Sequence, residues 1–251
     1  ALMYKPGKFN FRASYAAGFR TPTLSELYAT DIAKKNDRLT IGNLDLKSEK
    51  NNYFSLSAEY VHERFSVSVN AFYNNIRDMI DYNTIATGDK AMEQYGHKEV
   101  RQRDNIAEAK VHGINVSANA YLGAGFNLSG GYTHLNTQDV ELGQPIDKSI
   151  KNAYNINAQW AHSWKIYRLN INLNGRINSK RFSKSYGYAP EYQLWNLNTR
   201  HSFNLKSVII EPGCGMENLF DYMDDRPYNS NYATLTPGRS FYISLSLKFK
   251  S

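Results

Sequence analysis

The segment from Gly238 to Phe249 reads Gly-Arg-Ser-Phe-Tyr-Ile-Ser-Leu-Ser-Leu-Lys-Phe, alternating apolar and polar residues and stopping two residues short of the C-terminus. Side chains on a strand repeat with period 2, so Phe241, Ile243, Leu245, Leu247 and Phe249 fall on one face and Tyr242, Ser244, Ser246 and Lys248 on the other. The polar face suits either bulk solvent or a lumen. How far the same pattern extends along the chain separates the two.

It extends throughout. Leu169–Ile177 places Leu169, Ile171, Leu173 and Ile177 outward and Asn170, Asn172, Asn174 and Arg176 inward. Phe65–Ala71, Ile114–Leu122 and Tyr154–Trp160 alternate in the same way, and Phe9–Gly18, Asn52–Tyr60, Phe126–His134, Trp195–Leu205 and Val208–Met216 bring the count to about ten strands. An apolar face running through ten successive strands, with no second core to bury it, predicts an all-β, antiparallel transmembrane β-barrel rather than a soluble sandwich. Short joints at 62–64, 123–125, 165–167 and 206–207 alternate with longer segments at about 20–48, 82–102, 138–149, 179–191 and 221–238. That rhythm is expected of tight periplasmic turns on one side and extended extracellular loops on the other, with the first strand running outward and the last inward.

Composition narrows the alternatives. A mean hydropathy of -0.58 with 41% hydrophobic residues looks like an ordinary soluble protein, but a barrel is apolar only on alternate residues, so the average misleads. The 19 Tyr, 12 Phe and 3 Trp suit aromatic girdles at two membrane interfaces. No run of 18 apolar residues exists, so a spanning helix is excluded. The N-terminus, Ala-Leu-Met-Tyr-Lys-Pro, lacks a signal peptide and reads as the start of a mature product or a fragment. Cys214, the single cysteine, forms no internal disulfide and reads as a small hydrophobe on the apolar side of its strand. The formal charge of +7 is scattered, so nucleic-acid binding is not expected. With no Gly-x-Ser-x-Gly element and no zinc-ligand spacing, neither catalysis nor a resident metal or cofactor is expected.

Four segments carry a family resemblance. Gly18-Phe19-Arg20-Thr21-Pro22-Thr23-Leu24-Ser25-Glu26-Leu27-Tyr28 and Gly42-Asn43-Leu44-Asp45-Leu46-Lys47-Ser48-Glu49 resemble the paired Phe-Arg-Ala-Pro and Asn-Pro-Asn-Leu boxes of TonB-dependent outer-membrane receptors, with Thr21 in place of Ala and Leu44 in place of Pro. Glu217-Asn218-Leu219-Phe220-Asp221-Tyr222 resembles the element that closes the family's penultimate strand, and Pro237-Gly238-Arg239-Ser240-Phe241-Tyr242 resembles the approach to its final strand. Phe249 stands where the family has its terminal aromatic assembly signal, although Lys250 and Ser251 follow. The resemblance implies a plugged barrel of about 22 strands. Residues 1–251 would then be its C-terminal portion, with the plug and N-terminal strands absent.

By the same resemblance, the protein is expected in the outer membrane of a Gram-negative cell, surrounded by lipid and lipopolysaccharide. It would import a scarce metal chelate, an iron-siderophore or haem, with energy delivered to the absent plug by the TonB-ExbB-ExbD system. A cobalamin importer of the same family and a passive porin or surface-binding barrel are the alternatives, and whether a surface lipoprotein caps the barrel is left open. Haem receptors of the family carry a histidine between the two boxes, and Thr23–Ile41 contains none. In the outer loops, Tyr95, Arg181, Tyr186, Tyr188, Arg226, Tyr228 and Tyr232 offer stacking faces and bidentate donors for an anionic, partly aromatic chelate. The competing role is an interfacial belt whose cations meet lipopolysaccharide phosphates. His97 offers an imidazole to iron or haem, against the ordinary part of a solvated loop histidine. Asp31, Asp37, Asp45 and Glu49 lack a calcium-loop pattern and are expected to be solvated. Asn155, Asn157, Asn170, Asn172 and Asn174 are expected to satisfy one another, the plug and lumenal water.

Overall fold

The computed structural model describes residues 1–183, 187–224 and 236–250. In chain order the elements are β1 (Leu2–Tyr4), β2 (Phe9–Arg20), α1 (Leu24–Tyr28), β3 (Thr30–Ala33), β4 (Arg38–Ile41), β5 (Glu49–Val61), β6 (Phe65–Thr87), α2 (Gly88–Tyr95), β7 (Glu99–Gly123), β8 (Phe126–Asp139), β9 (Asn152–Trp164), β10 (Tyr167–Asn178), β11 (Arg181–Ser183), β12 (Gly187–Ala189), β13 (Tyr192–Asn204), β14 (Val208–Glu217) and β15 (Ser240–Phe249). The wall is an antiparallel meander in the order β1-β2-β5-β6-β7-β8-β9-β10-β13-β14-β15. Its edges, β1 and β15, do not pair with each other, so the barrel wall is open. All ten strands expected from the alternation are present. The three-residue β1, on the edge of β2, was not foreseen.

Residues directly opposite on neighbouring strands share a face. Ile171 lies between Trp160 and Thr199, and Leu173 between Ala158 and Leu197, which carries one apolar face across three strands. That face is bare: Leu56 is 62% exposed, Ile243 88% and Leu245 66%. On the other face, Asn172 lies between Gln159 and Asn198. The Asn157 amide donates to Asn174 at 2.7 Å and the Asn172 amide to Asn157 at 3.2 Å, so Asn157, Asn172 and Asn174 of the five satisfy one another.

Aromatic rings band the outward face at two levels. The inner level runs through Phe9–Tyr60, Tyr60–Phe65, Phe126–Trp160, Trp164–Tyr167 and Tyr167–Phe203, with centroids 4.9–6.0 Å apart. The outer level includes Tyr15–Phe54 and Tyr132–Tyr154, both at 4.7 Å. Trp164 lies ten residue steps from Tyr154 along β9. At about 3.3 Å per residue and a tilt of about 40°, that is ~25 Å, the height of a barrel's apolar band.

The inner joints are short as expected. A Cβ on Gly125 would lie 1.9 Å from the Ala161 carbonyl oxygen at φ +86°, so this turn admits only glycine. The segment 82–102, expected as a loop, is a correction: β6 and β7 run on as a hairpin capped by α2. Register shifts between Ile76 and Ile80 and between Thr84 and Ala86 break the alternation and hide these strands from a period-2 reading. One central strand contains a proline. The β13–β14 ladder skips His201 and Ser202, which lie opposite Pro212 and Glu211, because Pro212 has no N–H to donate. The buried apolar residues Ile80, Ala91, Val100, Ala109 and Ala189 all lie toward or beyond the outer rim.

Candidate functional site

Arg20 ends β2 directly opposite Glu49, which begins β5, and both sit on the lumenal face. The Arg20 guanidinium donates to Glu49 Oε2 at 2.7 Å and to Glu26 Oε2 at 2.9 Å. Glu26 belongs to α1, whose N-cap Thr23 accepts from the Glu26 N–H at 3.2 Å while the Glu26 carboxylate accepts from the Thr23 N–H at 2.8 Å. The guanidinium holds the Glu26 pKa at about 2, well below its ordinary value. Half-buried Pro22 leads into this cap, and Phe19 is 76% exposed on the outward face.

The second box folds back onto the first. Gly42 N–H donates to the Ala29 carbonyl at 2.8 Å and Asn43 N–H to the Glu26 carbonyl at 3.0 Å. A Cβ on Gly42 would lie 2.5 Å from the Leu27 carbonyl oxygen, so only glycine lets the boxes meet. Asn43 Oδ1 accepts from Asp45 N–H at 2.9 Å, and Leu46 is half-buried. Asn105 on β7 then pins the box. Its Oδ1 accepts from Lys47 N–H at 2.7 Å, and its amide donates to the Lys47 carbonyl at 3.0 Å and the Asp78 carbonyl at 2.6 Å.

Above the rim, β4 pairs in parallel with β7, bringing segment 20–48 against the long hairpin. His97 Nδ1 lies 2.9 Å from Asp37 Oδ1, and Lys98 N–H donates to the Asp37 carbonyl at 3.0 Å. The His97 hydrogen bond holds the Asp37 carboxyl below its usual range. Asp37 and Glu49, expected to be merely solvated, are structural ties, as is His97. Tyr95 is half-buried at the end of α2.

The register also gathers a cationic face that no motif announced. Arg38 opposes Glu99, Thr40 opposes Arg101 and Tyr82 opposes Arg103, so Arg38, Arg101, Arg103 and Tyr82 share one side with Asn105. Arg103 lies 3.6 Å over the Tyr82 ring, and Arg101 Nε donates to Glu99 at 2.6 Å. Arg38 Nε is buried without a hydrogen-bond partner. The available signal was the Arg-x-Arg spacing of Arg101 and Arg103, legible only once this stretch is known to be a strand.

A second closure joins β14 to β15. Asn218, at φ +52°, is buried, and its amide donates to the Tyr222 carbonyl at 2.7 Å and the Pro237 carbonyl at 3.1 Å while its Oδ1 accepts from Tyr222 N–H at 2.8 Å. Leu219 N–H donates to the Trp195 carbonyl at 2.7 Å, and Phe220 meets Trp195 edge-on at 6.5 Å. Asp221 Oδ1 accepts from Arg239 N–H at 2.6 Å, close beside Gly238. Phe249 is 81% exposed at the inner end of β15. Arg181 lies in the β11–β12 hairpin, where Tyr188 is 56% exposed and meets Phe182 edge-on at 5.3 Å. Tyr186, Arg226, Tyr228 and Tyr232 lie outside the described residues.

Residues 1–219 match the family model for the TonB dependent receptor-like beta-barrel. The chain belongs to the TonB-dependent receptor family. Such receptors are integral outer-membrane barrels, so the bare apolar face meets outer-membrane lipid. The chain is 28% identical over 162 residues to the probable TonB-dependent siderophore receptor PiuA of Acinetobacter baumannii, a match covering 58% of this chain and 21% of PiuA. Three solved structures share the fold. The siderophore receptor PirA from Acinetobacter baumannii has a TM-score of 0.74 at 17% identity, over 99% of this chain and 40% of PirA. A ferric enterobactin receptor, PfeA from Pseudomonas aeruginosa, in complex with enterobactin, has a TM-score of 0.73 at 20% identity, over 97% and 39%. The copper transporter OprC has a TM-score of 0.71 at 13% identity, over 97% and 38%. This TonB-dependent receptor chain thus spans about a fifth of the curated relative and about two fifths of the solved structures.

Proposed function

We infer that the chain forms the C-terminal portion of the barrel of an outer-membrane importer that takes up an anionic iron chelate, a ferric siderophore. The plug, the remaining strands and the TonB-ExbB-ExbD contact would lie outside residues 1–251. The observation that carries the reading is the face bearing Arg38, Arg101, Arg103 and Tyr82 beside the family boxes. Guanidinium groups match anionic chelate oxygens bidentately and the ring adds a stacking surface. The siderophore-receptor name of the A. baumannii relative supports the same choice.

Haem is the second reading, favoured by His97. When Nδ1–H donates to Asp37, Nε2 is left as the ligating nitrogen, the carboxylate–histidine arrangement that orients a metal ligand. Asp37 lies between the two boxes, so the fold delivers from another hairpin the histidine that Thr23–Ile41 lacks.

Growth of a deletion strain on iron-limited medium, with single ferric siderophores or haemin as the iron source, tests both. Loss of growth on one siderophore, reproduced by a double Arg101→Ala, Arg103→Ala variant, is expected. Loss on haemin alone, reproduced by His97→Ala, selects the second reading. Normal growth on every iron source with failure on limiting cobalamin or copper sinks both.

A further inference from the structure

We propose that Arg168, Arg200 and Lys248 form a second, lumenal site at the inner end of the barrel, through which a multivalent anion leaves toward the periplasm. The anion is the chelate of the importer reading, on which this inference rests. The formal charge of +7, scattered along the sequence, is sorted by the fold. Within five residues of an inner turn, the β1–β2 turn at 5–8 included, or of the end of β15, the chain carries ten lysines and arginines. The same stretches hold three carboxylates, Glu59, Glu63 and Glu211. Elsewhere the two signs are equal in number, so the inner end holds the whole net charge. A mouth lined by one sign of charge focuses its field into the lumen and concentrates the opposite sign there.

Four of the ten cations stand on lumenal strand faces: Arg12 on β2, and Arg168, Arg200 and Lys248 on β10, β13 and β15. The last three gather around Glu211 of β14. Lys248 Nζ is 2.6 Å from Glu211 Oε2, and Ser202, directly opposite Arg168, donates to Glu211 Oε1 at 3.5 Å. One carboxylate thus faces three cations, and Lys248 is the one that holds it. Among the described residues no carboxylate lies within ion-pair distance of Arg168 or Arg200, and both are exposed. The lumenal positions around them are small: Ser163 opposite Arg168, Gly213 opposite Arg200, and Ser244 and Ser246 on β15. Two long guanidinium groups therefore stand over a low floor of hydroxyls and bare backbone. That floor leaves room for a bulky anion, whose oxygens meet bidentate donors above and hydroxyl donors below.

The approach to the site distinguishes a moving anion from a fixed carboxylate of the plug. A plug tie needs a cation at one place, whereas transit needs a wall that repels nowhere. Strands β9, β10 and β13 contain no Asp or Glu. On β10 the lumenal face runs from Arg176 near the outer rim through Asn174, Asn172 and Asn170 to Arg168. An anion released from above meets neutral amides and then guanidinium groups.

The test follows radio-iron-labelled ferric enterobactin and ferric citrate, both anionic, and cationic ferrioxamine B in cells carrying the full receptor. Surface binding is read in energy-depleted cells and uptake in energised ones. An Arg168→Gln, Arg200→Gln variant should keep its heat-modifiable band and its surface affinity, while maximal uptake of an anionic chelate falls about tenfold at unchanged KM. Arg168→Lys, Arg200→Lys should keep most of the rate. A Lys5→Gln, Lys8→Gln control, which removes equal charge from the β1–β2 turn, should transport as before. An unchanged rate, an equal loss of surface affinity, or an equal loss in the control overturns the site. Entry of vancomycin into cells carrying the variant would mean a loosened plug, and gives the arginines to a plug carboxylate instead. Should the unsubstituted receptor bind and take up no anionic chelate, the importer reading falls and the site with it. If the double variant does not assemble, Arg200→Gln alone decides by the same readouts.

Discussion

In the membrane wall, Ile243, Leu245 and Phe249 point into lipid and are 88%, 66% and 81% exposed, with no protein packed against them. Above the rim, Val100 and Ala91 are completely buried, α1 carries a full capping box and the Asn105 amide on β7 holds backbone from two other segments. The wall is stabilised by its ladder of backbone bonds and by lipid on its outer face. The cap obeys the rules of a small water-soluble domain. Two asparagines use one device in these two settings: Asn218 ties strands β14 and β15 of the wall, and Asn105 ties the second family box to the long hairpin.

The contrast can be broken at four points. Leu245→Arg, at mid-height on the lipid face, should cost about 2–4 kcal/mol and abolish the heat-modifiable band, whereas the same change on a lumenal residue such as Ser244 should not. Asn218→Ala strands three backbone groups at the rim and should lower the urea unfolding free energy by about 3 kcal/mol, because it opens the wall itself. Asn105→Ala removes the same number of bonds, yet should loosen only the cap. Proteolytic cutting within 42–48 should rise by the equivalent of about 1–2 kcal/mol while the unfolding midpoint of the wall stays in place. An equal shift of that midpoint would mean that cap and wall unfold as one unit.

The smallest effect is acidic. Glu26 titrates lower in the folded protein, near 2, than its ordinary 4.5, so its stabilisation is complete above about pH 4.5 and lost as pH falls toward 2. With Arg20 44% exposed, the loss should stay below about 1 kcal/mol. Protection factors in 21–48, corrected for the intrinsic pH dependence of amide exchange, should fall over that window and should fall less in Glu26→Gln.

What could be read in advance follows the same division. Facing lipid on one side forces strict alternation, so β10 was legible as Leu169–Ile177 and is found as Tyr167–Asn178. Nothing forces alternation above the membrane. Asp78, at φ +56°, lies in an irregular stretch that shifts the register and hid half of the long hairpin. The family boxes were visible, but their meeting depends on Gly42 passing beneath the Leu27 carbonyl, and no spacing in the sequence encodes that approach. Asn105 was invisible for a different reason. Its clamp requires Lys47 and Asp78 to converge from segments 58 and 27 residues away.

Pro212 bears on the order in which the wall is made. Where the β13–β14 ladder lapses, β14 keeps its continuous register with β15, from Val208–Phe249 to Glu217–Ser240. The last two strands are therefore bound more completely to each other than to the sheet they join. Such a hairpin can form as a unit and dock late, and the seam behind it is the line along which an assembling barrel is most easily held open.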